Sequence, residues 1–124
     1  MALDYRGEKG IATSVGHAPI SALIDPVAGS RNSIAEALTN IVFAPISNNL
    51  NGVSLSANWM WPCRNKGEDA RLYDAVKGIS DFAISLGINV PTGKDSLSMT
   101  QKYKDGSKVI SPGTVIISAI GECS

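Results

Sequence analysis

"NKGEDARLYDAVKGISDFAISLGINVPTGKDSLSM", residues Asn65 to Met99, decides the fold. Leu72, Ala75, Val76, Ile79, Phe82, Ala83 and Leu86 recur at helical spacing and make one broad apolar face. Glu68 and Asp69 favour the positive N-terminal end of that helix, and Gly87 is a natural C-terminal cap. "INVP" then reads as a short strand running straight into the Gly-Lys stretch. A long amphipathic helix feeding a strand implies a layered α/β-containing domain.

Working outward, "PISALIDP" (Pro19 to Pro26) reads as a short strand closed by Asp-Pro. A second helix is expected from Ser30, with Ser30 or Asn32 as N-cap and Ile34, Ala37, Leu38, Ile41 and Val42 on its apolar side; Pro45 ends it. Val53, Leu55 and Ala57 alternate with polar neighbours as in a half-buried strand. "SLSMTQKY" and "GTVIISAI" read as two further strands, with a hairpin turn at Lys104–Ser107 between them and Pro112 marking the start of the last. Residues 1–15 show no periodicity and read as a poorly structured lead-in to a single partial domain spanning 1–124. The expectation is an α+β fold with a mixed or antiparallel sheet and two helices on one face. Because Val115–Ile120 is apolar on both sides, the other sheet face should also be covered.

Composition narrows the function classes. At 124 residues the chain is one small domain, and its 44% hydrophobic content is enough for a core. The charged fraction of 18% is below the roughly 25% usual for globular domains, which suits a surface partly covered by another domain. Eleven basic and eleven acidic residues cancel, so no electrostatic argument points to nucleic acid or a membrane surface. A single histidine and two cysteines, Cys63 and Cys123, argue against a zinc site. No signal stretch or membrane-length apolar run occurs, so a cytoplasmic setting with reduced thiols is the expectation.

The sequence offers five candidate sites. Glu36 and Asn40, four residues apart, share one side of the second helix and offer hard oxygen donors for Mg²⁺; spacing alone favours an ordinary solvated face. "PTGKDSLSM" is not a Walker loop, since Ile88 stands at the first glycine and Asp95 replaces the hydroxyl residue. It could be an anion-binding loop using Gly93, Lys94, Asp95, Ser96 and Ser98, or an ordinary turn between strands. Asn58, in "LSANWMWPC", could line a pocket at a strand end, although two neighbouring tryptophans are more often packing. His17 reads as a loop residue with a local hydrogen bond, and Cys63 has no general base beside it in sequence.

Together, "EALTN" (Glu36–Asn40), "LSANWM" (Leu55–Met60), "GEDARLYDAVK" (Gly67–Lys77) and "PTGKDSLSM" (Pro91–Met99) closely resemble the large, multidomain form of phosphoribosylformylglycinamidine synthase. The resemblance covers about Gly16 to Ala119. It implies an ATP-dependent carbon–nitrogen ligase of purine biosynthesis, in which ATP activates the amide of formylglycinamide ribonucleotide and ammonia from a glutaminase domain displaces phosphate. It further implies a fold like the N-terminal subdomain of aminoimidazole ribonucleotide synthetase, forming a barrel-like centre when two halves pair. On this resemblance the chain is most of the second half's subdomain. The partner half, the glutaminase and an upstream glycine-rich stretch are missing, so no turnover is expected from the chain alone.

Residue by residue, Glu36 and Asn40 match the family's magnesium ligands at a site that holds a structural, non-catalytic ADP; a further acidic ligand of that site is absent here. Gly93–Met99 match a loop at the interface between halves, facing either substrate or nucleotide, with Asn58 beside the same cleft. The alternative is a structural assembly subdomain that docks the other half. Self-association of the isolated chain through the strands around Val53 and Val115 is expected on either reading.

Overall fold

A computed structural model describes all of residues 1–124. The elements are β1 (Gly10–His17), α1 (Pro19–Ile24), α2 (Pro26–Ile41), β2 (Val53–Met60), α3 (Glu68–Leu86), β3 (Asn89–Ser96), β4 (Thr100–Lys102), β5 (Lys108–Ile110) and β6 (Thr114–Cys123). Four strands form one mixed sheet in the order β1-β6-β2-β3. β6 runs antiparallel to both β1 and β2, whereas β2 and β3 are parallel. A parallel pair needs a long crossover, and α3 supplies it. β4 and β5 form a separate hairpin.

α2 and α3 pack together on one face of the sheet, as the apolar spacing of both helices requires. Ile34, Ala37 and Ile41 of α2 and Ile79 of α3 meet Val53, Leu55 and Ala57 of β2 and Val115, Ile117 and Ala119 of β6. Fully burying an aliphatic side chain of this kind contributes about 1.5–3 kcal/mol. The expected α+β class, mixed sheet and one-sided helix layer are therefore present.

Four local expectations change. Pro19–Ile24 is a helix and not a strand: Pro19 occupies its first turn, where a missing N–H costs nothing. Arg71, reaching over from α3, donates to the carbonyls of Ala22 at 2.6 Å and Leu23 at 2.9 Å, closing the C-terminal end of α1. α2 begins at Pro26, four residues before the expected start. Asp25 is its cap, accepting from Val27 N and Ala28 N, while Ser30 is buried and donates to Pro26 O.

Inside the expected lead-in, β1 is a full strand from Gly10. Its core-facing residues are small, so no hydrophobic alternation betrays it. Ser14 donates to Ala37 O at 2.6 Å, and any Cβ on Gly16 would collide with Ser33 O and Ala37 N. Finally, the Lys104–Ser107 turn joins β4 to β5 and not to the last strand; Gly106 sits at φ 85° and Asp105 accepts from Ser107 N and Oγ. Those two hydrogen bonds hold the Asp105 carboxyl below the usual range.

Val53 and Val115 are both buried against the helices on interior strands, so they cannot carry self-association. The face free of helices belongs to the alternate residues.

Candidate functional site: the helix-free face of the sheet

Strand register places four residues in each row of the uncovered face. One row runs His17–Ile116–Asn58–Lys94 and the next Val15–Ser118–Ser56–Thr92. Thr114, Met60 and Ser96 make a shorter row at one end. The β1 and β6 half is the more apolar, with Val15 and Ile120 each about half exposed. The β2 and β3 half carries Ser54, Ser56, Asn58, Thr92, Lys94 and Ser96. An apolar half fits a covering protein surface, and a polar half fits a ligand with hydrogen-bonding groups.

On this face two side-chain atoms are buried without a hydrogen-bond partner: Asn58 Oδ1 in the polar half and Thr114 Oγ1 at the start of β6. Such atoms cost about 1–3 kcal/mol each, and folds rarely keep them without use. Asn58 is directly beside Lys94, and Thr114 is two positions along β6 from Ile116, Asn58's opposite number. Thr114 was not singled out by its sequence; only pairing across strands brings it to Asn58. A third orphan, Trp59 Nε1, lies on the helix side.

The five residues expected to form one anion loop divide three ways. Pro91–Ser96 is edge strand, not loop, so its side chains alternate. Lys94 and Ser96 share the open face with Asn58. Gly93 and Asp95 point to the helix side with Ala57 and Trp59. The Trp59 ring lies 3.1 Å from where a Cβ on Gly93 would be, so the packing there favours a residue without a side chain. Ser98 lies beyond the strand end, bridged to Pro62.

Asp95 contributes instead to an acidic surrounding for Cys63. Burial, followed by the negative charges of Asp69, Glu68 and Asp95, pushes the Cys63 thiol up and keeps it protonated at neutral pH. Both cysteines are free. Trp61 is wholly buried; its indole N–H donates to Glu68 Oε2 at 2.9 Å, and Glu68 in turn pairs with Arg71 at 3.5 Å. The tryptophans of "NWMW" therefore serve packing. His17 is the last residue of β1 and exposed on the open face, not a loop residue.

Glu36 and Asn40 are exposed on α2, one turn apart. Asn40 Nδ2 donates to Val15 O at 2.9 Å, which anchors α2 to the outer edge of β1 and leaves Oδ1 as an available donor to a cation. No cluster of three or more His, Cys, Asp or Glu residues is placed to hold a metal ion. Two oxygen ligands suit a hydrated Mg²⁺ that completes its shell with water and phosphate oxygens. This pair is by the β1 edge and Lys94 on the β3 edge, three strand spacings or about 14 Å away. One ion cannot touch both.

The family model described as "FGAR-AT PurM_N-like domain" matches residues 1–122. The chain belongs to this family. The chain is 46% identical over 121 residues to phosphoribosylformylglycinamidine synthase of Drosophila melanogaster, covering 98% of the chain and 9% of that protein. Against the Homo sapiens enzyme of the same name it is 40% identical over 124 residues, again 9% of that protein. The chain thus spans about a tenth of the length of these relatives. An Arabidopsis thaliana relative, 43% identical, is named chloroplastic/mitochondrial, so a cytoplasmic setting does not extend to every relative. Among solved structures, Thermotoga maritima PurL complexed with ATP superposes with a TM-score of 0.68 at 16% identity, over 97% of this chain and 19% of that one. Thiamine monophosphate kinase of Aquifex aeolicus gives 0.53 at 14% identity, over 92% of this chain and 34% of that one. These two likenesses establish the fold. No helix is long and apolar enough to cross a membrane.

Proposed function

We propose that this domain works within a cytoplasmic phosphoribosylformylglycinamidine synthase, a ligase that uses ATP and glutamine to convert formylglycinamide ribonucleotide to its amidine. The observation that carries its part in that reaction is the pair of buried, unpartnered oxygens, Asn58 Oδ1 and Thr114 Oγ1, beside Lys94 and Ser96. Lys94 supplies a point charge and Ser96 a hydroxyl donor for a phosphate-bearing ligand, while Asn58 and Thr114 face its polar groups. PurL of Thermotoga maritima has been solved with ATP, with ADP and with FGAR, which supports ligands of this class.

Glu36 and Asn40 would hold Mg²⁺ on a second, structural nucleotide at the β1 edge. Bound there, the ion would neutralise phosphate charge; the protein's share is to present the Glu36 carboxylate and to fix the Asn40 amide through Val15 O. With only two ligands present, binding by this chain alone should be weak. Calorimetry with Mg-ADP tests the pair: Glu36→Ala should abolish the heat of binding, and equal affinity of variant and parent would remove the assignment. For the sheet face, titration with ADP should shift the Asn58 side-chain amide resonances; unchanged resonances at saturation would sink the reading.

A second reading, in which the domain mainly docks the other synthetase half and a glutaminase domain, is favoured by the exposed Val15 and Ile120 on the same face. The two coexist if the apolar half is covered by protein and the polar half by ligand. The isolated chain should then self-associate through this face. Light scattering should report dimers that Val15→Lys disperses; a monomer at high concentration would refute it.

A further inference from the structure

A second polar concavity lies off the sheet face, where the turn after β2 meets the β4–β5 hairpin. It encloses about 420 Å³ and is lined by Arg64, Asn65, Ser98, Thr100, Gln101, Lys102 and Lys108, with no hydrophobic residue and no carboxylate. In a chain whose charges cancel overall, three cations face one hollow. None of the three is in an ion pair; the chain's salt bridges use Lys9, Arg71 and Lys77 instead.

The hollow is also built. Asn65 Nδ2 donates to Pro62 O and to Thr100 Oγ1, both at 3.0 Å, and Lys108 Nζ approaches Asn65 Oδ1 at 3.4 Å. Asn65 thus ties the turn to the hairpin and steers Lys108. Because Thr100 Oγ1 accepts from Asn65, its own hydrogen is free to donate into the hollow. Ser98 adds a second hydroxyl, and Arg64 a forked donor set matched to the oxygens of a phosphate. Like charges gathered without a counter-charge are relieved by an anion.

We infer that this hollow is a phosphate-binding site, separate from Lys94 and Asn58, that takes a dianionic phosphoryl group. The same chemistry fits free phosphate or the phosphate end of a ribonucleotide. The site does not depend on the sheet-face reading, because no residue is shared with Lys94, Asn58 or Thr114.

The test is a titration of the 124-residue chain with inorganic phosphate at low ionic strength, followed by backbone amide resonances, and repeated with ribose 5-phosphate. Saturable shifts at Ser98–Lys102 and Lys108 are expected. Arg64→Gln and Lys108→Gln, both at exposed positions, should each weaken binding about tenfold, as loss of a charge-assisted hydrogen bond does. Lys94→Ala should leave phosphate binding here unchanged, so failure of the sheet-face reading would be seen separately. Ribose 5-phosphate binding more tightly than phosphate marks the end of a larger ligand, whereas equal affinity marks a site for the phosphoryl group itself. Absence of saturation in the millimolar range, or equal affinity of parent, Arg64→Gln and Lys108→Gln, would overturn the proposal.

Discussion

Thr114→Val should stabilise the protein while weakening its ligand site. Thr114 is 8% exposed and its hydroxyl is buried without a partner, so the free chain bears an uncompensated desolvation cost. Valine has nearly the same shape, suits a strand, and removes the hydroxyl. Recovering about 1 kcal/mol, the lower end of the usual penalty, is the conservative expectation. Unfolding entropy near 60 °C is about 2.1 cal/mol/K per residue, so 124 residues give roughly 0.26 kcal/mol/K and a rise in Tm of about 4 °C. Calorimetric melting of parent and variant without ligand measures this. ADP titration of the same pair should show weaker binding by the variant. A lowered Tm would refute the reasoning, because it would mean that the hydroxyl already has a stabilising partner in solution.

Three further outcomes follow from the packing. Gly16→Ala should cost about 1–3 kcal/mol, since its methyl must displace the α2 backbone at Ser33 and Ala37; urea midpoints check this, and an unchanged midpoint would contradict the close approach. Arg71→Ala should lower stability by about 1–2 kcal/mol and raise amide exchange in α1, because the carbonyls of Ala22 and Leu23 lose their donor; unaltered exchange in α1 would show that the cap is dispensable. Cys63 should alkylate with iodoacetamide more slowly than a free thiol at pH 8 and catch up only at higher pH, since its folded pKa is raised and the thiolate is scarce; equal rates at pH 8 would contradict the burial and the carboxylates around it.

Some elements were legible because their patterns are self-contained. α3 shows its apolar stripe, its acidic first turn and its glycine cap within its own 19 residues, and β2 alternates cleanly. β1 was illegible because Gly10, Ala12, Ser14 and Gly16 face the core by being small, a role visible only once α2 lies on top. α1 is too short to declare its period and depends on Arg71, which comes from a distant helix. The site divides likewise. Lys94 and Ser96 stand out as a charge and a hydroxyl in any reading, but that Gly93 and Asp95 face away follows only once the segment is known to be strand. Thr114 is joined to Asn58 by register alone.

The most direct test of the central claim is steady-state kinetics of the full-length synthetase carrying Lys94→Ala or Ser96→Ala. Loss of a charged contact to phosphate of about 1.5–3 kcal/mol predicts that kcat/KM for Lys94→Ala falls roughly 10- to 150-fold, with Tm unchanged. Full specific activity accompanied by a lowered Tm would contradict the account and leave this face a purely structural one.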